Sequence, residues 1–90
     1  DYVSLGSLGS FLINDDFLNA HITGLEIIDN NLFFHVRNFS YVITMKGFNQ
    51  YKIRLNNYKV FYRSVINDSV LRDLSSINLN FNSQVIVEKK

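Results

Sequence analysis

The stretch Ile77-Asn78-Leu79-Asn80-Phe81-Asn82-Ser83-Gln84-Val85-Ile86-Val87-Glu88-Lys89-Lys90 ends the sequence. Ile77, Leu79 and Phe81 alternate with Asn78, Asn80 and Asn82, which puts apolar side chains on one face and amides on the other. A period of two is that of a strand half-buried in a sheet. Asn82-Ser83 supplies turn residues, and Gln84-Val85-Ile86-Val87-Glu88 returns as a second strand. Within it, Val85 and Val87 point to one face and Ile86 and Glu88 to the other. The chain therefore ends in a predicted hairpin.

Upstream, Asn67-Asp68-Ser69 breaks the preceding pattern and predicts the cap of a short helical turn through Val70, Leu71 and Leu74. The segment Tyr51 to Ile66 supports two readings. Tyr51, Ile53 and Leu55 alternate with Lys52 and Arg54, and Asn56-Asn57 is competent to close a two-residue hairpin. A helix instead gathers Tyr51, Leu55, Tyr58, Tyr62 and Val65 on one face, with Lys52, Lys59 and Arg63 opposite. Periodicity alone does not separate these.

Earlier still, Tyr41-Val42-Ile43-Thr44-Met45 predicts the strongest strand, ended by Lys46-Gly47. Before it, Ile22 to Ile28 and Leu32 to Arg37 predict a hairpin about Asp29-Asn30-Asn31, whose Asn residues tolerate positive φ. Asn14-Asp15-Asp16 predicts the start of a short helix through Phe17, Leu18 and Ala20. Residues 1–13 show near-helical apolar spacing (Leu5, Leu8, Phe11, Leu12), but Gly6 and Gly9 weaken it by about 1 kcal/mol each relative to Ala. A marginal helix or an irregular lead-in is expected there.

Ninety residues make one domain, 1–90, with no room for a second core. Hydrophobic residues are 47% and aromatics 14%, which argues for a packed core and against disorder. A net charge of +1 supplies little electrostatic steering, and nucleic-acid modules usually carry a more basic face. The absence of cysteine excludes a disulfide framework and thiolate metal ligation. No apolar run approaches the ~18 residues of a membrane span. The first residues lack both an initiator Met and a basic signal-peptide region. A fragment or processed product of a longer protein is the expectation, with any membrane anchor or targeting signal cut away.

No catalytic constellation is visible. His21 and His35 have no metal-site spacing such as HExxH, and they read as ordinary satisfied or surface histidines. Asp15-Asp16 reads as helix-start charge, because adjacent helical residues do not face one another. The serines near Gly6 and Gly9 match neither GxSxG nor SxxK, and no phosphate-loop GK[ST] follows. The expectation is a non-enzymatic domain with no cofactor, no metal and no small-molecule substrate. One rival class has some support: Lys46, Lys52, Arg54, Lys59 and Arg63 interleave with Tyr51, Tyr58, Phe61 and Tyr62. Stacking plus cationic contacts would suit a single-stranded nucleic acid. The plainer reading, a helix with an aromatic core face and a basic solvent face, is preferred.

The stretch from Leu74 to Lys90, with its INLNFNSQVIVEKK ending, resembles the closing hairpin of the bacterial cell-division family FtsQ/DivIB. Asp16 to Ile22 resembles the short helix entering a strand in one branch of that family, with Leu18 where Trp is more usual. Leu55-Asn56-Asn57-Tyr58-Lys59-Val60-Phe61-Tyr62 resembles the branch's KLxxLxxFY-like helix. Val36-Arg37 stands where a Pro-Arg pair is common. The resemblance runs from about Asp15 onward.

This resemblance implies that Tyr51 to Arg63 is helical. It also implies an α+β fold: an antiparallel sheet packed against one or two helices, as in the family's extracytoplasmic β domain. It further implies a scaffold outside the cytoplasmic membrane, with FtsB/FtsL-like partners pairing with the edge of the last strand. Gln84, Val85, Ile86, Val87, Glu88 and Lys89 would then form the docking strand, and the nearby Tyr58, Phe61 and Tyr62 read either as aromatic anchors or as simple core packing. Lys89 and Lys90 would steer an acidic partner or discourage edge-to-edge aggregation.

Overall fold

In the computed structural model, which describes residues 2–80 and 85–90, two helices lead into a sheet. They are α1 (Tyr2–Asn14) and α2 (Asp16–His21). Strands β1 (Ile22–Ile28), β2 (Asn31–Val36) and β3 (Val42–Lys46) follow, then α3 (Tyr51–Val65). A 3-10 turn, Ser69–Asp73, leads into β4 (Leu74–Asn78) and β5 (Ile86–Lys89). The strands lie in the order β1-β2-β3-β4-β5.

The fold is α+β, and the sheet is antiparallel at every pairing but one. β1, β2 and β3 form a meander and β4–β5 is antiparallel, whereas β3 and β4 run parallel. The parallel pair follows from the helical resolution of Tyr51–Val65: α3 is the crossover that returns the chain to the same end of the sheet, which no tight turn can do. Three α-helices form, where one or two were expected. α1 forms despite Gly6 and Gly9 because Leu8 is fully buried, Phe11 and Leu12 pack on the core, and Phe11 meets Tyr51 edge-on at 5.7 Å. Tertiary packing outweighs propensity there.

The β1–β2 turn places Asp29 and Asn30 at φ 50° and 65°, the doubly left-handed geometry that suits the twist of a two-residue hairpin. Gly47, at φ 70°, donates its N–H to Asn30 O at 2.7 Å. A Cβ there would come within 3.3 Å of the Asn30 Nδ2, the end of a side chain that can shift, so it is the backbone angle that calls for glycine.

One sheet face makes the core. Leu32, Phe34, Val36, Tyr41, Ile43, Met45, Leu74, Ile77 and Leu79 are buried together with Leu8, Leu18, Leu55 and Tyr58 of the helices. β4 begins at Leu74 and ends at Asn78, earlier than the alternation from Ile77 to Phe81 suggests. The 3-10 turn delivers Leu74 straight into the sheet, and an irregularity at Ser75 shifts the register. The amides are not an idle solvent face: Asn78 Oδ1 accepts from Asn80 N at 2.7 Å, and Asn80 Oδ1 from Lys46 N at 2.6 Å. Phe81 and the Asn82-Ser83 turn lie outside the described residues.

Two polar contacts fix the helices. Asp15 caps α2, its Oδ1 accepting from Leu18 N at 2.9 Å, while Oδ2 accepts from Lys59 Nζ of α3 at 2.5 Å. The Lys59 contact, then the cap, holds its carboxyl below the usual range. Lys59 is thus drawn off the solvent face on which its spacing placed it. Deeper in, Tyr58 OH lies 2.5 Å from His21 Nε2 and 2.6 Å from Tyr41 OH. Burial lowers the His21 pKa to about 4, pushes Tyr41 up to about 12, and raises Tyr58 further.

Asp15→Ala removes a cap and a half-buried ion pair, and should cost about 1–2 kcal/mol in urea unfolding. Asp16→Ala, at an exposed neighbour, should stay within ~0.5 kcal/mol. His21 gives a pH signature. Its folded pKa lies below its unfolded value, so the unfolded state binds more protons between about pH 6.5 and pH 4. Stability should fall as pH drops through that window, by about 2–3 kcal/mol in all. Unfolding free energies of wild type and His21→Gln from pH 7 to 4 check this: the wild-type curve should fall more steeply.

Candidate partner-binding edge and aromatic pocket

β5 is an edge strand, held on one side by β4 through Leu74↔Lys89, Ser76↔Glu88, Ile77↔Val87 and Asn78↔Ile86. In an antiparallel strand, backbone groups point alternately to the two sides. Lys90 N donates inward to Asp73 O at 2.8 Å, so Glu88 and Ile86 also face β4. The N–H groups of Val87 and Lys89 and the C=O of Val87 face away from the sheet, while Lys89 O is reached from β4 by the Ser75 hydroxyl at 3.5 Å. On the β4 side the pattern agrees, since Leu79 N turns toward β3, donating to Thr44 O at 2.8 Å.

The side chains divide across the strand. Val85 and Val87 are half-buried against the core, while Ile86 (41% exposed), Glu88 and Lys89 are open to solvent. The irregularity in this pairing falls in β4 at Ser75, whose Oγ donates to Glu88 O at 3.2 Å, and leaves β5 regular. The opposite edge differs. β1 carries its own bulge between Ile22 and Gly24, a device that spoils an edge for pairing. Gln84 lies outside the described residues.

The three aromatic residues of α3 do not extend this edge. Tyr58 is wholly buried, so the expectation of a surface anchor is corrected: it faces the core, where its hydroxyl joins His21 and Tyr41. Phe61 and Tyr62 are half-buried on the core. Tyr62 packs with Phe17 at 5.1 Å, with His21 at 4.7 Å and with Phe39 at 6.3 Å. Phe17, one helical turn before His21, stacks on it at 4.7 Å.

These rings border a pocket of about 180 Å³ lined by Phe17, Ala20, His21, Arg37, Asn38 and Tyr62. Arg37 ties its rim to the end of α2, with Nε donating to Ala20 O at 2.9 Å and the backbone N to His21 O at 2.8 Å. Asn38 turns the chain at φ 72°. Spacing in the sequence did not single out Arg37 or Asn38, because the turn that brings them to α2 is a tertiary contact.

The basic and aromatic residues from Lys46 to Arg63 do not form one stacking surface. Tyr58 is in the core, Lys59 is held by Asp15, and Arg54 is buried with Nη1 donating to Lys46 O at 3.3 Å. His35 is spent on a cross-strand pair, its Nε2 2.6 Å from Glu26 Oε1. Among the described residues no three His, Cys, Asp or Glu side chains converge as a metal site would require, and no helix is long and apolar enough to cross a membrane.

No curated protein matches the sequence. The family model described as FtsQ/DivIB, C-terminal related, matches residues 1–87. With nearly the whole chain covered, α1 included, the protein belongs to the FtsQ/DivIB C-terminal related family of bacterial cell division.

Proposed function

We propose that this domain is a non-enzymatic scaffold of the division machinery, standing on the extracytoplasmic side of the cell inner membrane and tethered by an anchor elsewhere in the protein. Its partner is an FtsB/FtsL-like protein, one segment of which pairs with β5 as an additional strand. The observation that carries this reading is the regular edge of β5, with the N–H groups of Val87 and Lys89 turned outward. An added strand would draw its affinity from those main-chain bonds. It would draw selectivity from exposed Ile86 and Glu88, while Val85 and Val87 keep the strand seated. Gln84 precedes this strand in the sequence and belongs to the proposed interface. Phe61 is a candidate flanking contact. Lys89 and Lys90 favour a partner segment bearing acidic residues. Family membership supports the protein-binding role.

The outward amides provide the test. Proline is tolerated on an edge strand when its missing N–H faces solvent. Lys89→Pro should therefore leave the β4–β5 ladder intact, with stability within ~0.5 kcal/mol of wild type. It should weaken the partner at least about tenfold, the scale of a lost main-chain hydrogen bond plus a steric block. Peptides tiling the FtsB-like protein of the same organism, titrated into ¹⁵N-labelled domain, give the readout. Amide shifts should centre on Val85–Lys90 and β4 and be lost in Lys89→Pro. Binding mapped to β1 or α3, or unaffected by Lys89→Pro, would refute strand addition at this edge.

A further inference from the structure

The buried Tyr41–Tyr58–His21 chain fixes where its protons lie. Tyr41 and Tyr58 are each at most 1% exposed, and each hydroxyl proton needs an acceptor. Tyr41 OH meets no polar group but Tyr58 OH among the described residues. Were Tyr58 to donate to Tyr41, the Tyr41 proton would be stranded in the core. Were Tyr41 to donate to Tyr58, and Tyr58 to His21 Nε2, every proton would be placed. A neutral imidazole accepting at Nε2 carries its proton on Nδ1. Burial keeps His21 neutral near pH 7.

Among the described residues Nδ1 has no hydrogen-bond partner, yet no buried side-chain nitrogen or oxygen lacks one. Nδ1 therefore reaches solvent, and His21 is one of the residues that line the aromatic pocket. Arg37 stands on the same wall. Among the described residues only the Nε of its side chain is engaged, and no carboxylate pairs with it. A neutral N–H donor and a guanidinium thus share a pocket flanked by the rings of Phe17 and Tyr62, with the Asn38 amide alongside.

We propose that this pocket receives one glutamate side chain of a partner protein, its carboxylate held between His21 Nδ1–H and the Arg37 guanidinium and its methylenes lying against Phe17 and Tyr62. Two donors and no acceptor charge select a carboxylate over an amide. At about 180 Å³ the pocket is smaller than the roughly 300–1,000 Å³ of small-molecule sites, and suits a single side chain. The proposal rests on the reading that this domain binds a protein, but not on the β5 edge.

The test uses the intact domain with histidine ring nitrogens labelled. In the free protein, ring ¹⁵N shifts should report His21 as the Nδ1–H tautomer. N-acetylglutamate N-methylamide should shift Nδ1 saturably, and the matching glutamine compound and sodium acetate should not. Arg37→Gln, an exposed substitution, should weaken that response roughly tenfold, while Lys89→Pro leaves it unchanged. An Nε2–H tautomer, equal responses to glutamate and glutamine, or a full response in Arg37→Gln would overturn the proposal. An equal response to acetate would reduce the pocket to a general anion site and overturn it as well. Because the probe is a single blocked residue, a failure of strand pairing at β5 leaves this result readable.

Discussion

The hydroxyl of Tyr58 joins the three parts of this domain at one buried point. It comes from α3, meets Tyr41 at the start of β3, and meets His21 where α2 gives way to β1. A hydroxyl in an apolar interior costs one to several kcal/mol if left unpaired, so only arrangements that bring these three elements together are low in free energy. The nonspecific burial of Leu18, Phe34, Ile43 and Leu55 is satisfied by many packings. The Tyr41–Tyr58–His21 chain narrows them. It also sets the angle at which α3 lies across the sheet, and hence the position of Tyr62 beside Phe17.

The same construction separates the two sheet edges. α2 runs directly into β1, and the bulge near Gly24 lets β1 bend to follow it. That bend disrupts the regular spacing a further strand would need. At the other edge, the irregularity at Ser75 sits inside the sheet on β4 and is bridged by the Ser75 hydroxyl. β5 therefore keeps the N–H groups of Val87 and Lys89 turned outward. An edge so exposed ordinarily invites aggregation; Glu88, Lys89 and Lys90 provide the charges that restrain it. Both features suit the proposed role of β5, an edge open to an added strand and guarded by charge against copies of itself.

How much of this was legible in the sequence depended on whether the signal was local. The β1–β2 hairpin, the cap at Asp15 and the alternation of β5 are written in neighbouring residues, and they fold as their patterns require. Tyr51–Val65 was not decidable from periodicity because Lys52 and Arg54 fit a strand as well as a helix. The family resemblance pointed to the helix, and the parallel β3–β4 pair follows from it. The start of β4 was missed because Leu74 has the spacing of the preceding turn, and only the sheet decides that it pairs. Spacing puts Lys59 on the solvent face, whereas Asp15 holds it inward, and Arg54 is likewise buried, donating to Lys46 O. The pocket was invisible for a related reason. Its walls come from α2, α3 and the β2–β3 turn, and no short window of sequence contains all three.

The geometry also bears on how selectivity can arise in so small a domain. In the proposed strand addition, main-chain pairing along β5 would be nearly indifferent to sequence, since every partner residue except proline offers the same N–H and C=O. Exposed Ile86 and Glu88 add only shallow discrimination. Past the end of β5, Lys90 shares a depression with Asn38, Phe39, Ser40 and Arg72, and Asn38 also borders the aromatic pocket. A segment added to β5 in the proposed way and continuing past Lys90 would cross this depression, with Arg72 on its wall, before it reached His21 and Arg37. Once the strand is seated, the second contact becomes intramolecular, and its effective concentration rises without any new area at the edge. In that arrangement the edge supplies general affinity and the pocket the choice among partners, so a segment able to pair but lacking an acidic residue at the right distance would bind without being selected.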